Sequence, residues 1–113
     1  MIRTALFAVL ALVALASTAL AETCTASQYG IGDGYHGKRA ADGSIFNTHA
    51  LTAAMRKPVP FGSMKTITNL ANGRSVTVRI TDRGPFVKGR CIDLSRAAAD
   101  AIGMGGLARV SVH

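Results

Sequence analysis

Cysteine, histidine and acidic residues are scarce in this chain of 113 residues. The two cysteines form no CxxC motif, and His36, His49 and His113 show no i, i+4 pairing, so the spacing offers no zinc or redox motif. The chain also lacks a G-x-S-x-G motif and a Cys/His/Asn pattern, which argues against the nucleophilic hydrolases. We therefore expect no metal and no cofactor.

The longest apolar run lies at the N-terminus, from Leu6 to Ala16. Arg3 precedes it and Ala19-Leu20-Ala21 follows it, which is the pattern of a cleaved secretory signal peptide. The run is shorter than the roughly 20 residues of a membrane span. We expect a signal peptide over residues 1–21, a periplasmic or secreted mature domain over residues 22–113, and no stable membrane insertion.

Cys24 and Cys91 are predicted to form one disulfide, because thiols exported from the cytoplasm meet an oxidising compartment. A bridge of this length stabilises a small domain by about 4 kcal/mol on the chain-entropy account. A lipid anchor on Cys24 is not expected, since Ala21, Glu22 and Thr23 are not the small apolar residues that precede a lipidation site.

Basic residues outnumber acidic residues by 13 to six. Loss of Arg3 with the signal peptide leaves 12 against six, a net charge of +6. Such a field attracts polyanions such as cell-wall polymers, and export makes nucleic acid an unsuitable partner. The alternative is that the charge only keeps a small, monomeric domain soluble.

Short alternating segments predict a mainly β protein. Met64 to Leu70 and Arg74 to Thr81 flank Asn72-Gly73, which indicates a hairpin with a tight turn. Arg90 to Ser95 and the final ARVSVH segment read as further strands. About five or six short strands with many turns favour a small closed barrel.

Two short helices are predicted beside these strands. Thr48 to Met55 follows a capping residue and is rich in alanine, and Arg96 to Gly103 follows Ser95, a good N-cap. The glycine-rich stretch from Tyr29 to Gly43 shows no period and predicts a long irregular loop.

The segment VRITDRGPF, Val78 to Phe86, ends an alternating strand on a carboxylate. A period of two places Asp82 on the buried face, at the rim of the core, and Arg83 on the exposed face. Gly84-Pro85 then ends the strand, because proline has no N–H to donate.

Asp82 and Asp93 are the candidate catalytic residues, because they flank one turn-rich segment and could border one cleft. Cleavage of a glycosidic bond commonly uses two carboxyl groups. The alternative is structural: Asp82 accepts hydrogen bonds from the Gly-Pro turn, and Asp93 pairs with Arg90 or Arg96. The residues alone leave both interpretations open.

Several segments together resemble the rare lipoprotein A (RlpA) family: ASQYG at Ala26, HGKRAADGSIFN at His36 and NGRSVTVRITDRGPFVKGRCIDLS at Asn72. The resemblance covers nearly all of the mature chain. It implies a six-stranded double-psi β-barrel, the fold of barwin-like and expansin domains, and a periplasmic role on peptidoglycan.

The resemblance also implies an activity and its residues. Characterised members are similar to endolytic lytic transglycosylases, in which the sugar's own 6-hydroxyl attacks the anomeric carbon of a glycan strand that has lost its stem peptides. By position, Asp82 matches the central aspartate and Asp93 a second one. Ser27 and Tyr29 match the loop that lines the groove. Tyr35, Arg39 and Arg83 are further candidates for substrate binding.

Three positions depart from the family pattern. Ser44 stands where a glutamate is usual, Asn47 where aspartate is frequent, and Met55 where a histidine is usual. The expected consequence is weak activity, or substitution of the lost acid by Asp42 or Asp33.

Two rival functions follow. The first is a non-catalytic wall-binding or wall-loosening module, in which Tyr29, Tyr35, Lys38, Arg39 and Arg83 grip the glycan. The second is a secreted effector or inhibitor that resembles barwin-type defence proteins.

Overall fold

Six strands and one helix make up the part of the chain that the structure describes. The structure is a computed structural model and describes residues 21–113, so the predicted signal peptide lies outside it except for Ala21. The elements are β1 (Glu22–Tyr29), β2 (Thr52–Ala54), β3 (Met64–Asn69), β4 (Ser75–Asp82), β5 (Arg90–Ser95), α1 (Arg96–Ala101) and β6 (Leu107–Val112).

The strands form a closed barrel in the order β1-β5-β2-β4-β3-β6. The pairs β1·β5 and β2·β4 are parallel and the other four pairs are antiparallel. The prediction of a small, mainly β, closed six-stranded barrel is confirmed. Except for β3 and β4, neighbours in the barrel come from distant parts of the sequence, so one patch of wall collects side chains from several segments.

The interior of the barrel is filled by aliphatic side chains from alternate strand positions. The largest fully buried ones include Ile67, Val78, Ile80, Ile92, Leu94 and Val110. Each such burial stabilises the fold by about 1.5–3 kcal/mol relative to exposure. Ile92 and Leu94 face inward, which leaves Asp93 on the outer face of β5, as the alternation predicted.

The C-terminal helix begins as predicted. The Ser95 hydroxyl accepts a hydrogen bond from the Ala98 amide at 3.2 Å and donates to the Ala50 carbonyl at 2.6 Å. This cap holds α1 against the loop before β2. The helix ends at Ala101, two residues short of the predicted end at Gly103.

The predicted helix over Thr48 to Met55 is wrong, so the described part of the chain has one short helix instead of two. Residues 48–51 form turns and bends, and Thr52–Ala54 form β2. Alanine favours a helix, but here β4 and β5 lie on either side of this segment and pair with it. Tertiary pairing overrides a weak local preference.

The hairpin between β3 and β4 is confirmed, with a longer connection than the predicted tight turn. The last paired residues are Thr68 and Ser75, and the loop is closed by a hydrogen bond from the Gly73 amide to the Asn69 carbonyl at 2.8 Å.

Cys24 and Cys91 form the predicted disulfide, with Cα atoms 5.9 Å apart. The bridge joins β1 to β5, which also pair in parallel. Within residues 21–113, no helix has the length and apolar character needed to cross a membrane.

Candidate active site

A β-bulge near the end of β4 decides where Asp82 points. In the pairing of β2 with β4, Ala53 lies opposite Ile80 but Ala54 lies opposite Asp82, so Thr81 is an extra residue. The predicted placement of Asp82 on the face of Ile80 is therefore wrong. The bulge cancels one step of the alternation and turns Asp82 to the half-exposed outer side of the wall.

One small residue separates the two candidate carboxylates. Ala54 is the register partner of Asp82 in β4 and of Asp93 in β5, because β2 lies between those strands. Two strand spacings correspond to about 10 Å between the Cα atoms. Ala54 lines the groove and belongs to one buried cluster with Tyr29 and Phe46.

The row of outer-face residues continues onto β1. Ser27 is the register partner of Asp93, and Tyr29 lies two residues further along the same face. Four consecutive strands, β1, β5, β2 and β4, therefore contribute one row of polar and small side chains to the barrel wall. The prediction that Asp82 and Asp93 could border one cleft is consistent with this row.

A groove of about 480 Å³ lies over this row. Its lining includes the predicted residues Ser27, Tyr29, Tyr35, Asp82, Arg83 and Asp93, together with Gln28, Ala54, Gly84, Pro85, Phe86, Val87 and Arg90. Arg39, the remaining candidate for substrate binding, is absent from the lining.

Asp82 is held by three donors. Its carboxylate accepts hydrogen bonds from the Ala41 amide at 3.2 Å, from the Arg83 amide at 3.0 Å and from the Tyr29 hydroxyl at 3.5 Å. The structural interpretation thus holds in part, because the Arg83 amide begins the Gly-Pro turn. All three contacts use Asp82 as an acceptor, which is the role of an ionised carboxylate.

Asp93 lies in a different setting. It is half-buried, and the Ser27 hydroxyl donates to it at 3.1 Å. Burial raises the pKa of Asp93 above its ordinary value, against the opposing effects of the Ser27 hydrogen bond and the Arg90 charge. The ion pair of Asp93 with Arg90 or Arg96, which the structural alternative required, is not found in the described residues, where Arg96 pairs with Asp100 at 3.5 Å. A carboxyl group that holds its proton more tightly is suited to proton donation.

Tyr29 connects the groove to a second buried cluster. Its ring stacks on Phe46 with centroids 4.6 Å apart and meets Tyr35 edge-on at 5.7 Å. Burial, with the nearby charges of Asp82 and Asp93, raises the pKa of Tyr29. Its hydroxyl therefore keeps its proton and acts as a donor to Asp82.

Gly30 permits this stacking. Its φ is +96°, and an added Cβ would lie 2.5 Å from the Phe46 ring. Both the backbone conformation and the contact require glycine at this position.

Arg83 does not extend into solvent as predicted. Its guanidinium donates to the Met55 carbonyl at 3.2 Å and to the Val59 carbonyl at 2.6 Å, and it lies over the Phe61 ring at 3.9 Å. These contacts fix the 55–61 loop beside the groove. Arg83 still lines the groove, although its guanidinium is hydrogen-bonded to these two carbonyls.

The loop before β2 uses its polar residues for its own structure. Arg39 donates to the Gly43 carbonyl at 2.6 Å, and the Ser44 hydroxyl donates to Asp42 at 2.5 Å. The hydrogen bond from Ser44 lowers the pKa of Asp42. Asp33 accepts from the Gly30 and Tyr35 amides at 2.7 and 3.2 Å. Neither carboxylate lines the groove, which argues against either as the substitute acid.

The three departures from the family pattern also lie outside the groove lining. Ser44 and Asn47 are exposed, and Met55 is buried in the barrel core. His36 and His49, distant in sequence, meet edge-on with ring centroids 5.6 Å apart, and His36 accepts a hydrogen bond from the Thr48 amide at 3.2 Å.

Phe86 is a groove residue that the sequence analysis did not select. It follows the Gly84-Pro85 turn and is 79% exposed, while Tyr35, which also lines the groove, is 53% exposed. Sugar rings pack on such aromatic faces. The sequence signal that could have identified Phe86 is an aromatic residue directly after a turn that ends a strand.

One cluster has metal-ligand composition. The ligand atoms of Glu22, Cys24 and Cys91 lie within 4.8 Å of one another, but both thiols are joined in the disulfide and offer no thiolate. The cluster therefore does not fit a metal in this oxidised state.

Comparison with known sequences gives a consistent family. The profile of the family described as "Lytic transglycolase" matches residues 21–113. A "Probable endolytic peptidoglycan transglycosylase RlpA" of Nostoc sp. is 57% identical over 81 residues, which are 72% of this chain and 22% of the relative. The "Endolytic peptidoglycan transglycosylase RlpA" of Campylobacter jejuni is 48% identical over 86 residues, 76% of this chain and 31% of the relative. The chain spans less than a third of these relatives' length.

Comparison with solved structures gives the fold. An expansin of Clavibacter michiganensis has a TM-score of 0.64 at 20% identity and covers 83% of this chain and 50% of its own. The Streptomyces papain inhibitor has a TM-score of 0.61 at 18% identity, over 85% of this chain and 94% of its own. These likenesses confirm the expected expansin-like double-psi barrel.

Proposed function

Because the chain belongs to the lytic transglycolase family of RlpA-like proteins, we propose that it is an endolytic lytic transglycosylase that cleaves peptidoglycan glycan strands. Its substrate is the strand without stem peptides, and its product ends in a 1,6-anhydro sugar. The observation that carries the proposal is the arrangement of Asp82 and Asp93 on either side of Ala54 in one groove.

The two carboxyl groups take opposite roles. Asp93, whose pKa is raised by burial, donates a proton to the glycosidic oxygen as the bond from that oxygen to the anomeric carbon breaks. The 6-hydroxyl of the same sugar attacks the anomeric carbon, and its proton passes to Asp82. The fragments carry a 1,6-anhydro end and a free hydroxyl, and solvent exchange returns the proton to Asp93.

The remaining groove residues position the strand and its acids. Ser27 orients Asp93, and Tyr29 orients Asp82. Tyr35 and Phe86 offer exposed aromatic faces to sugar rings. Arg83 and Arg90 supply positive charge at the groove.

The proposal includes the setting of the reaction. The signal peptide over residues 1–21 directs export, and residues 22–113 act as a monomeric domain in the periplasm or outside the cell. The disulfide between Cys24 and Cys91 suits an oxidising compartment. The polymer partner is peptidoglycan, and nucleic acid is not a partner.

The test is mass spectrometry of peptide-stripped peptidoglycan strands after incubation with the protein. We expect fragments with 1,6-anhydro ends, and a loss of at least about 10³-fold in their rate of formation for Asp82→Asn and for Asp93→Asn. Asp42→Asn is the matched control, because Asp42 is a nearby carboxylate outside the groove lining.

Two results would contradict the proposal. Fragments that form at an unchanged rate with Asp82→Asn would exclude its catalytic role. Strands that bind the wild-type protein without being cleaved would instead indicate the non-catalytic wall-binding module.

A further inference from the structure

A hollow beside the disulfide continues the groove away from the two aspartates. We call it the disulfide hollow; it has a volume of about 280 Å³, and its lining includes Glu22, Cys24, Arg56, Arg90, Cys91 and Arg109. Arg90 lines both this hollow and the groove. One extended ligand can therefore contact the groove and the hollow at the same time.

Positive charge dominates the disulfide hollow. Three arginines, Arg56, Arg90 and Arg109, face one carboxylate, that of Glu22. A neighbouring depression adds Lys57 and shares Glu22 and Arg56. The ion pair recorded over residues 21–113 is that of Arg96 with Asp100, so none of these four cations is paired with a described acid.

The guanidinium groups are anchored but not saturated. Arg56 donates to the Arg90 carbonyl at 3.4 Å, and Arg109 donates to the Thr25 hydroxyl at 3.4 Å. Each guanidinium has five N–H donors, so each keeps donors for a ligand. Their planar fork matches the two oxygens of a carboxylate.

The spacing along β5 relates the hollow to the cleavage site. Arg90 and Asp93 are three residues apart in β5, which corresponds to about 10 Å along an extended strand. A polymer whose scissile bond lies at Asp93 thus places its adjoining units over Arg90 and the hollow. Peptidoglycan strands without stem peptides carry a free carboxylate on the lactyl group of every second sugar.

We propose that the disulfide hollow is an anion subsite, in which Arg56 and Arg109 bind a lactyl carboxylate of the strand that lies in the groove. The subsite rests on the proposed function and explains how the barrel distinguishes a stripped strand from one with peptides, whose lactyl groups are neutral amides. The strand that lies in the groove supplies the carboxylate, and Glu22 at the same hollow lowers the positive field of the three arginines.

The experiment measures binding in the Asp82→Asn background, so that cleavage does not remove the ligand. The probes are peptide-stripped strands and the same strands after conversion of their carboxylates to neutral methylamides. We expect the acidic strands to bind about tenfold more tightly, and the double substitution of Arg56→Gln with Arg109→Gln to remove most of this preference.

The matched control is Lys65→Gln with Arg74→Gln, which removes the same charge from the β3–β4 hairpin, outside the hollow and the groove. The control should keep the preference. Glu22→Gln is a second variant and should tighten binding of the acidic strands about twofold, a gain that misfolding cannot produce.

Four outcomes overturn the subsite. The double arginine variant could keep the preference, or the control could lose it equally, which would indicate only the overall field of the protein. Competition by inorganic polyphosphate at lower concentration than the acidic strands would assign the hollow to phosphate. Cleavage of the strands by the wild-type protein, without tighter binding of the acidic strands, would reject the subsite and keep the proposed function. Tighter binding of the acidic strands without cleavage by the wild-type protein would keep the subsite and reject the proposed function.

Discussion

The end of β4 and the middle of β5 present the two carboxylates of the groove in contrasting surroundings. At the end of β4, Asp82 accepts hydrogen bonds from two backbone amides and the Tyr29 hydroxyl. In β5, Asp93 has the Ser27 hydroxyl as its donor and is half-buried, and burial raises its pKa. The same side chain is thus held by three hydrogen-bond donors at the end of β4 and by burial with one donor in β5.

Removal of the disulfide should have the largest effect on stability, and it affects the β5 half of this comparison. Cys24 and Cys91 tie together β1 and β5, the pair that aligns Ser27 with Asp93. Cys24→Ala with Cys91→Ala is expected to lower the free energy of unfolding by about 4 kcal/mol. Thermal unfolding measures the loss. Adding a reductant should destabilise the wild-type protein and leave the double variant unchanged.

Gly30→Ala should have the next largest effect on stability, and it affects the surroundings of Asp82. The new methyl group would meet the Phe46 ring at 2.5 Å, at a residue with φ of +96°. We expect a loss of about 2–3 kcal/mol, and with it displacement of Tyr29 from Asp82. Gly32→Ala is the control, because its φ is also positive but nothing lies within 4 Å. Equal losses in the two variants would show that backbone strain alone decides the effect.

Replacing each aspartate with asparagine should change stability in opposite directions. Because the pKa of Asp93 is raised in the fold, its contribution is fully present below the unfolded pKa and is lost as the pH rises through the folded pKa. Asp93→Asn should therefore raise the melting temperature slightly at neutral pH and have little effect near about pH 3. Asp82→Asn weakens charge-assisted hydrogen bonds and should lower stability by about 1 kcal/mol.

Calorimetry at the two pH values measures both changes. Asp100→Asn, on the exposed face of α1, serves as the reference. A lower melting temperature for Asp93→Asn at neutral pH would mean that its carboxylate is stabilised, contrary to the role of a proton donor.

The smallest predicted effect is on the pH profile of cleavage. The Ser27 hydroxyl opposes the rise in the pKa of Asp93, so Ser27→Ala should raise that pKa further. Activity that needs protonated Asp93 falls as the pH rises through this pKa, and the variant should move that fall to higher pH. Tyr29→Phe removes the hydroxyl that donates a hydrogen bond to Asp82, and it should not change the pH at which activity falls. If only Tyr29→Phe shifts the pH at which activity falls, Asp82 is the proton donor and Asp93 is the proton acceptor.

The sequence predicted the barrel better than the geometry of the site. A strand with clear alternation, such as β4, could be recognised because period two survives in the burial of its side chains from Ser75 to Ile80. The three residues of β2 are too short to show a period, and their alanines suggest a helix. Only the strands on either side make this segment a strand.

The orientation of Asp82 was out of reach for a similar reason. Counting by two from Ile80 gives the buried face, and the extra residue Thr81 reverses the result. Nothing in the local sequence marks the bulge, because it is defined by the partner strand. The position of Arg83 depends likewise on carbonyls of Met55 and Val59, which lie more than 20 residues away in the chain.

The shared partner of the two aspartates has a consequence for how the domain can vary. Since Ala54 pairs with both Asp82 and Asp93, the separation of the acids is set by the hydrogen-bond ladder of the sheet. Insertions in the surrounding loops can change which polymer enters and how firmly it is held, but they do not alter that separation. The separation of the two aspartates therefore follows from the wall of the barrel and does not depend on the loops around the groove.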